Sequence, residues 1–211
     1  MESPVSDAPK PLGRRERNKQ KVKERLYSSA LQLFAENGYE HTSIEEIAER
    51  ADVARGTFFN YFQRKEDLIR AWGDRRREAL MESISRAEPR GRGAVARLEQ
   101  CMAILGSLNE EERESTAAML MAWVKAGRPL LEEPYVGQIF AEIVEDGCRE
   151  GEFRADLIPE HVGNVLRDVY LGILYRWSQR SPRDGYGSLH CELQEALKML
   201  LLGIMESKAS A

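Results

Sequence analysis

Between Arg55 and Tyr61 the chain gathers a guanidinium, a glycine, two hydroxyls and a carboxamide: Arg55, Gly56, Thr57, Asn60 and Tyr61. On a helix these residues fall together, because Phe58 and Phe62, four apart, form the opposite, apolar face. The chemistry of such a face is recognition rather than bond making. Gly56 admits a close backbone approach, the Thr57 and Tyr61 hydroxyls can donate to phosphate oxygens, and Arg55 and Asn60 match the edges of bases in a duplex groove. No catalytic set competes with it. His41, His161 and His190 are far apart, no Ser-His-Asp or metal-ligand spacing occurs, and no glycine-rich phosphate loop follows a strand. Glu110 to Glu112 and Glu132-Glu133 read as solvated caps at helix starts. Neither catalysis, a metal nor a cofactor is expected. Cys101, Cys148 and Cys191 lack CxxC or Cys/His spacing and are expected to be buried, reduced thiols.

A recognition face needs elements to hold it. Val22, Leu26, Ala30, Leu33 and Phe34 recur at three- and four-residue spacing, predicting a first helix over 15–37 that Asn37-Gly38 closes. Ser43-Ile44-Glu45-Glu46 has capping-box spacing and starts a second helix of about two turns, with Ile44, Ile47, Ala48 and Ala51 as its buried stripe. Asp52-Val53-Ala54 makes the turn, and 55–62 is predicted as the third helix.

Charge supports the same partner. From Lys10 to Arg25 eight Lys/Arg face two acidic residues, a net +6, whereas from Ala71 onward 18 basic residues face 23 acidic ones, a net −5. A basic arm on an acidic body suits a polyanion bound at one end, since screened charges act over only about 8 Å at physiological salt. Arg14 and Arg15 are the arm residues placed first on that partner, double-stranded DNA. The 211 residues, 42% of them hydrophobic, suffice for a real core. The apolar stretch from Met199 to Met205 is far short of the roughly 20 residues that cross a bilayer, and Met1 to Pro11 has no signal-peptide core. No membrane partner is expected, and the cytoplasm is the expected location.

Three words in order, Phe34-Ala35-Glu36-Asn37-Gly38-Tyr39, Thr42-Ser43-Ile44-Glu45-Glu46-Ile47-Ala48 and Arg55-Gly56-Thr57-Phe58-Phe59-Asn60-Tyr61-Phe62, followed by Lys65-Glu66-Asp67-Leu68, resemble the TetR family of transcriptional regulators. The resemblance covers about the first third of the chain. It implies an all-α fold of about nine helices: a disordered leader at 1–13, a three-helix helix-turn-helix head at 14–64, and a larger helical bundle at 65–211 for effector binding and dimerisation. It also implies that the positions of Thr42, Arg55, Thr57, Tyr61 and Lys65 meet DNA, and Ser43 beside Thr42 is included with them. Repression is the family's usual sign, and a homodimer on a palindromic operator its usual form. The chain departs from the pattern at four places. Asp52 stands where a turn glycine is usual, Ala54 where a serine commonly caps the third helix, Phe59 for a frequent tyrosine, and Gln63-Arg64 for a common Pro-Ser.

The body reads as further helices: a fourth from Lys65 that ends before Pro89, then 95–108, 112–126 and 134–150. Cys101, Met102, Leu105, Met119, Trp123, Phe140, Val144 and Tyr170 each read singly as core, and as a set they supply apolar, adaptable surface for a largely hydrophobic small-molecule effector. The breaks at Gly127-Arg128-Pro129 and Glu132-Glu133-Pro134 would form its mouth or merely a loop. Val162, Val169, Ile173 and Trp177 on the penultimate helix, with Leu193, Leu197, Leu200 and Ile204 on the last, form apolar stripes that need a cover, either the chain's own body or a second copy, and the resemblance implies the dimer interface. Because the fourth helix follows the third directly, an effector that displaced it would change the spacing of the two recognition helices. The competing class is a helical adaptor that binds only proteins; it would need neither the basic arm nor the Arg-Gly-Thr face.

Overall fold

The computed structural model describes residues 13–87, 93–126, 135–180 and 187–204, and every regular element among them is an α-helix. In chain order these are α1 (Arg14–Asn37), α2 (Ile44–Arg50), α3 (Arg55–Phe58), α4 (Glu66–Arg86), α5 (Ala94–Glu111), α6 (Arg113–Lys125), α7 (Tyr135–Arg149), α8 (Pro159–Gln179) and α9 (Leu189–Ile204). The chain divides into two compact units between Leu68 and Ile69, inside α4 rather than at the expected 64/65 boundary. The expected leader falls, apart from Gly13, outside the described residues, as do both breaks between α6 and α7.

In the first unit, α1 buries Leu26, Ala30, Leu33 and Phe34 of the stripe its periodicity predicts, with Tyr27 beside them, while Val22 is half-buried. It stops at Gly38, whose φ of +81° only glycine adopts freely and whose N–H reaches the Phe34 carbonyl at 3.0 Å. The capping box of α2 is complete. The Glu46 N–H donates to Ser43 Oγ at 3.2 Å, and Glu46 Oε2 accepts the Ser43 N–H at 2.7 Å. The bond from the Ser43 backbone, then that from its hydroxyl, holds the Glu46 carboxyl below its ordinary value of 4.5. A lowered folded value means that the cap stabilises α2 above that pH and loses its contribution as pH falls through the folded value.

The turn to α3 places Asp52 at φ +54°, the left-handed conformation for which a glycine would be the unstrained choice. α3 is one turn long and ends at Phe58, four residues short of the predicted 62. Beyond it the backbone tightens: the Asn60 N–H donates to Thr57 O at 3.2 Å and the Tyr61 N–H to Phe58 O at 2.9 Å, bonds across three residues, before the Phe62 N–H closes a four-residue bond on Phe58 O at 3.0 Å. Phe62 still turns inward beside Phe58, their ring centroids 5.6 Å apart and both rings buried. Asp67 then ties down the start of α4, its Oδ2 accepting the N–H groups of Gln63 (2.9 Å) and Arg64 (3.0 Å). That carboxylate does the work of the absent Pro-Ser.

In the second unit α7 packs on α8 and α5 on α9. Gly137 and Gly163 bring α7 and α8 close: a Cβ on Gly163 would stand 2.4 Å from the Gly137 carbonyl oxygen. Arg113, at the start of α6, caps the end of α8. Its Nη2 donates to the carbonyls of Trp177 (3.1 Å) and Arg180 (2.7 Å), and its guanidinium carbon lies 4.0 Å from the Trp177 ring centroid. Deep in this unit the Asn109 amide donates to Leu105 O (2.6 Å) and to the Tyr170 hydroxyl (3.0 Å), while Arg76 Nη2 donates to Asn109 Oδ1 (2.5 Å) and Leu108 O (3.0 Å). These bonds satisfy polar groups that the surrounding core would otherwise strand. No helix of the described residues is long and apolar enough to cross a membrane.

Candidate nucleic-acid interface

The recognition face is built by the turn that α3 opens. Arg55, Gly56 and Asn60 are exposed, and Thr57 and Tyr61 half-buried, on the side away from Phe58 and Phe62. The α1 segment from Arg14 to Arg25 adds seven exposed cations: Arg14, Arg15, Arg17, Lys19, Lys21, Lys23 and Arg25. Lys10 lies outside the described residues. The Lys23 ammonium, 5.9 Å from the Phe62 ring centroid, puts the basic flank of α1 beside the end of the α3 turn. Phe59 is exposed on this surface, 44% of its area open, where a tyrosine would have offered a hydroxyl.

Three residues expected on this face serve the fold instead. Thr42 is buried, and its hydroxyl lies 2.9 Å from Gly38 O and 3.3 Å from Leu33 O, so that side chain fastens the α1–α2 loop. The Ser43 hydroxyl is committed to the α2 cap: it accepts the Glu46 N–H and donates to the Glu46 carboxylate at 2.7 Å. Lys65 reaches back to the carbonyls of Tyr39 (2.7 Å) and Thr42 (2.9 Å), its ammonium 4.2 Å from the Tyr39 ring centroid. It clamps the start of α4 to the loop with two of its three N–H donors. The roles of Thr42 and Lys65 depend on where the Gly38–Thr42 loop comes to lie, whereas the Ser43 bonds are local to the α2 cap. Lys65 and Tyr39, far apart in sequence, give no periodic sign of meeting.

Ala54 caps α3 with no side-chain bond, so the N–H groups at that end have no hydroxyl partner. Ala54→Ser is expected to stabilise the protein by about 1 kcal/mol, a rise of about 2–4 °C in the melting midpoint, and to tighten DNA binding. Thermal melting checks the first effect. A midpoint that stays put would mean that water caps α3 as well as a hydroxyl does.

The residues expected to line an effector cavity form packed core. Cys101, Met102, Leu105, Phe140, Val144 and Tyr170 belong to the main cluster of the second unit, Trp123 packs against it, and Met119 is buried too. None of the eight lines the open groove of about 460 Å³ that the described residues form on α8 and α9. That groove is bounded by Val165, Asp168, Val169, Gly172, Ile173, Arg176 and Ala196, and Val165 and Met199 are exposed on the same two helices.

Ile173, Trp177, Leu193 and Leu197 are buried within their own chain, whereas Val162, Val169, Leu200 and Ile204 are half-exposed. The outward row of α8 is Val165, Val169, Gly172 and Arg176. Both sides of that helix are apolar, so periodicity merges an inner row with an outer one.

The cysteines divide as well. Cys101 is buried, and burial pushes its thiol up to about 12, which leaves it inert. Cys148 is half-buried and Cys191 exposed, so only one of the three fits the expected buried state.

Residues 26–72 match the model of the bacterial regulatory proteins of the tetR family. Over 159 residues the chain is 30% identical to the HTH-type transcriptional repressor KstR of Mycolicibacterium smegmatis, covering 75% of this chain and 77% of that protein. It is 30% identical over 184 residues to the HTH-type transcriptional regulator TcmR of Streptomyces glaucescens, covering 82% and 80% respectively. Among solved structures it is similar to FadR of Thermus thermophilus, a TetR-family transcriptional repressor in complex with lauroyl-CoA. There the identity is 30%, the TM-score 0.69, and the match covers 90% of this chain and 98% of that one.

Proposed function

Because the chain belongs to the TetR family and is a ligand-responsive, DNA-binding transcriptional repressor, we propose that it works as a homodimer on a palindromic operator and is released by an acyl-type ligand. The observation that carries this reading is the union of two surfaces in the first unit. The Arg55, Gly56, Thr57, Asn60 and Tyr61 face supplies groups for a groove, and the cationic α1 segment supplies affinity for backbone. The helical adaptor reading has no use for either surface, and the relatives are transcriptional regulators rather than enzymes.

The outward face of α8 and α9 supports self-association. It is a groove with apolar walls, and Asp168 and Arg176 place opposite charges along it, as a two-fold contact between identical helices requires. The effector reading rests on the large apolar second unit and on the lauroyl-CoA bound by the Thermus relative. In this reading the ligand enters by displacing part of the core cluster, and α4, which carries Leu68 of one unit and Ile69 of the other, transmits the change.

Selection of bound duplexes from a random pool tests the DNA reading, with a palindromic consensus as the expected result. Failure to enrich any sequence at low salt would overturn it. Titration of the selected complex with lauroyl-CoA, and with dodecanoate as the arm lacking the nucleotide, is expected to release the DNA. A complex indifferent to both would sink the acyl class while leaving the DNA reading in place.

A further inference from the structure

The recognition surface carries one carboxylate to which the reading above gives no task. Glu45 and Glu46 share the first turn of α2, and Glu46 is consumed by the cap. Glu45 instead reaches across the turn to the first residue of α3, its Oε1 2.6 Å from Arg55 Nε. The Arg55 guanidinium carbon also lies 5.6 Å from the Phe59 ring centroid. Both charged side chains are more than half exposed, and an ion pair so placed contributes little to folding. It stands beside the groups offered to DNA, where a negative charge works against binding.

We propose that Glu45 is a positioning and specificity-determining residue, which orients the Arg55 guanidinium so that its Nη edge reads a guanine in each operator half-site. The proposal rests on the reading that this face meets DNA. Of the five N–H donors of a guanidinium, the one on Nε is spent on Glu45, leaving the four on the two Nη nitrogens as the free fork. The side-on bond and the ring of Phe59 together fix the plane of that fork. A planar fork held in one orientation matches the O6 and N7 acceptors of guanine in the major groove. A phosphate needs no such orientation, and the Glu45 carboxylate repels it. Glu45 thus withholds Arg55 from indiscriminate backbone contact and reserves it for a base edge.

The test compares wild type, Glu45→Gln, Glu45→Asp and Arg55→Ala by random-pool selection and by titration of the selected duplex and a scrambled duplex over a range of salt. Circular dichroism confirms that each variant is folded. Glu45→Gln removes the charge, and Glu45→Asp keeps the charge but shortens the reach. Both are expected to relax the guanine preference at one half-site position about tenfold, the same position that Arg55→Ala relaxes. Only Glu45→Gln is expected to tighten scrambled DNA, by about threefold to tenfold, and to steepen its salt dependence by up to about one phosphate equivalent. An undiminished guanine preference in both Glu45 variants, with Arg55→Ala still relaxing it, would overturn the proposal. So would an Arg55→Ala loss spread evenly over all sequences. Absence of sequence preference in the wild type would instead overturn the DNA reading beneath it.

Discussion

Replacing Arg14, Arg15 and Arg17 together by alanine is expected to weaken operator binding about a hundredfold at physiological salt and to flatten its salt dependence by between two and three units of log–log slope. These residues occupy the first turn of α1, where all three are exposed and no side chain from Arg14 to Lys21 is buried. Each phosphate that a cation neutralises releases counterions and contributes about 0.9 to the slope, so three contacts account for the expected change. The substitution leaves the helix intact. Alanine is the strongest helix former, and removing positive charge from a helix N-terminus relieves an unfavourable interaction with its dipole. The melting midpoint is therefore expected to hold or rise slightly while binding falls, which separates loss of contact from loss of fold. Fluorescence anisotropy of labelled operator across a salt series reads the slope directly. A slope equal to that of the wild type would mean that this segment of α1 makes no backbone contacts.

The second large effect concerns stability. Gly163→Ala places a Cβ 2.4 Å from Gly137 O, 2.8 Å from Ala141 N and 2.9 Å from Ala141 Cβ, all but the last backbone atoms that cannot swing aside. α7 and α8 must then separate along their length, and overpacking of this kind costs about 2–3 kcal/mol. For a chain of this size that corresponds to a midpoint lowered by about 5–10 °C. Gly203→Ala is the control, because a Cβ there meets nothing within 4 Å. It is expected to be neutral or slightly stabilising, since alanine outranks glycine in a helix. Equal midpoints for the two variants would show that α7 and α8 can part without penalty. Because α8 also carries Val165, Val169 and Arg176 outward, Gly163→Ala is further expected to weaken self-association in sedimentation.

How legible the molecule was depended on the range of the forces involved. The first unit was read nearly residue by residue because its signals are local. The end of α1 is a backbone conformation at Gly38, the start of α2 a bond between residues three apart, and the α3 core contact a pair four apart. Contacts that span the sequence were not legible in it. Lys65, expected on DNA, closes on carbonyls more than twenty residues earlier, and Thr42, expected there too, is buried with its hydroxyl on Leu33 O and Gly38 O. Glu45 went unnoticed because its partner lies ten residues on, a spacing that no single helix makes adjacent.

In the second unit the sequence by itself determined that the helices have apolar stripes and roughly where α4 to α7 begin and end. Hydrophobic periodicity is a property of one helix. Which side of α8 faces its own chain is a property of the neighbours, and only the tertiary structure decided it. The packing of α8 among its neighbours buries Ile173 and Trp177 and leaves Val165 exposed and Val169 half-exposed. The same packing made core of the residues expected to form a cavity. An apolar side chain gains from leaving water whether a ligand or its own chain covers it, and its identity alone does not distinguish the two.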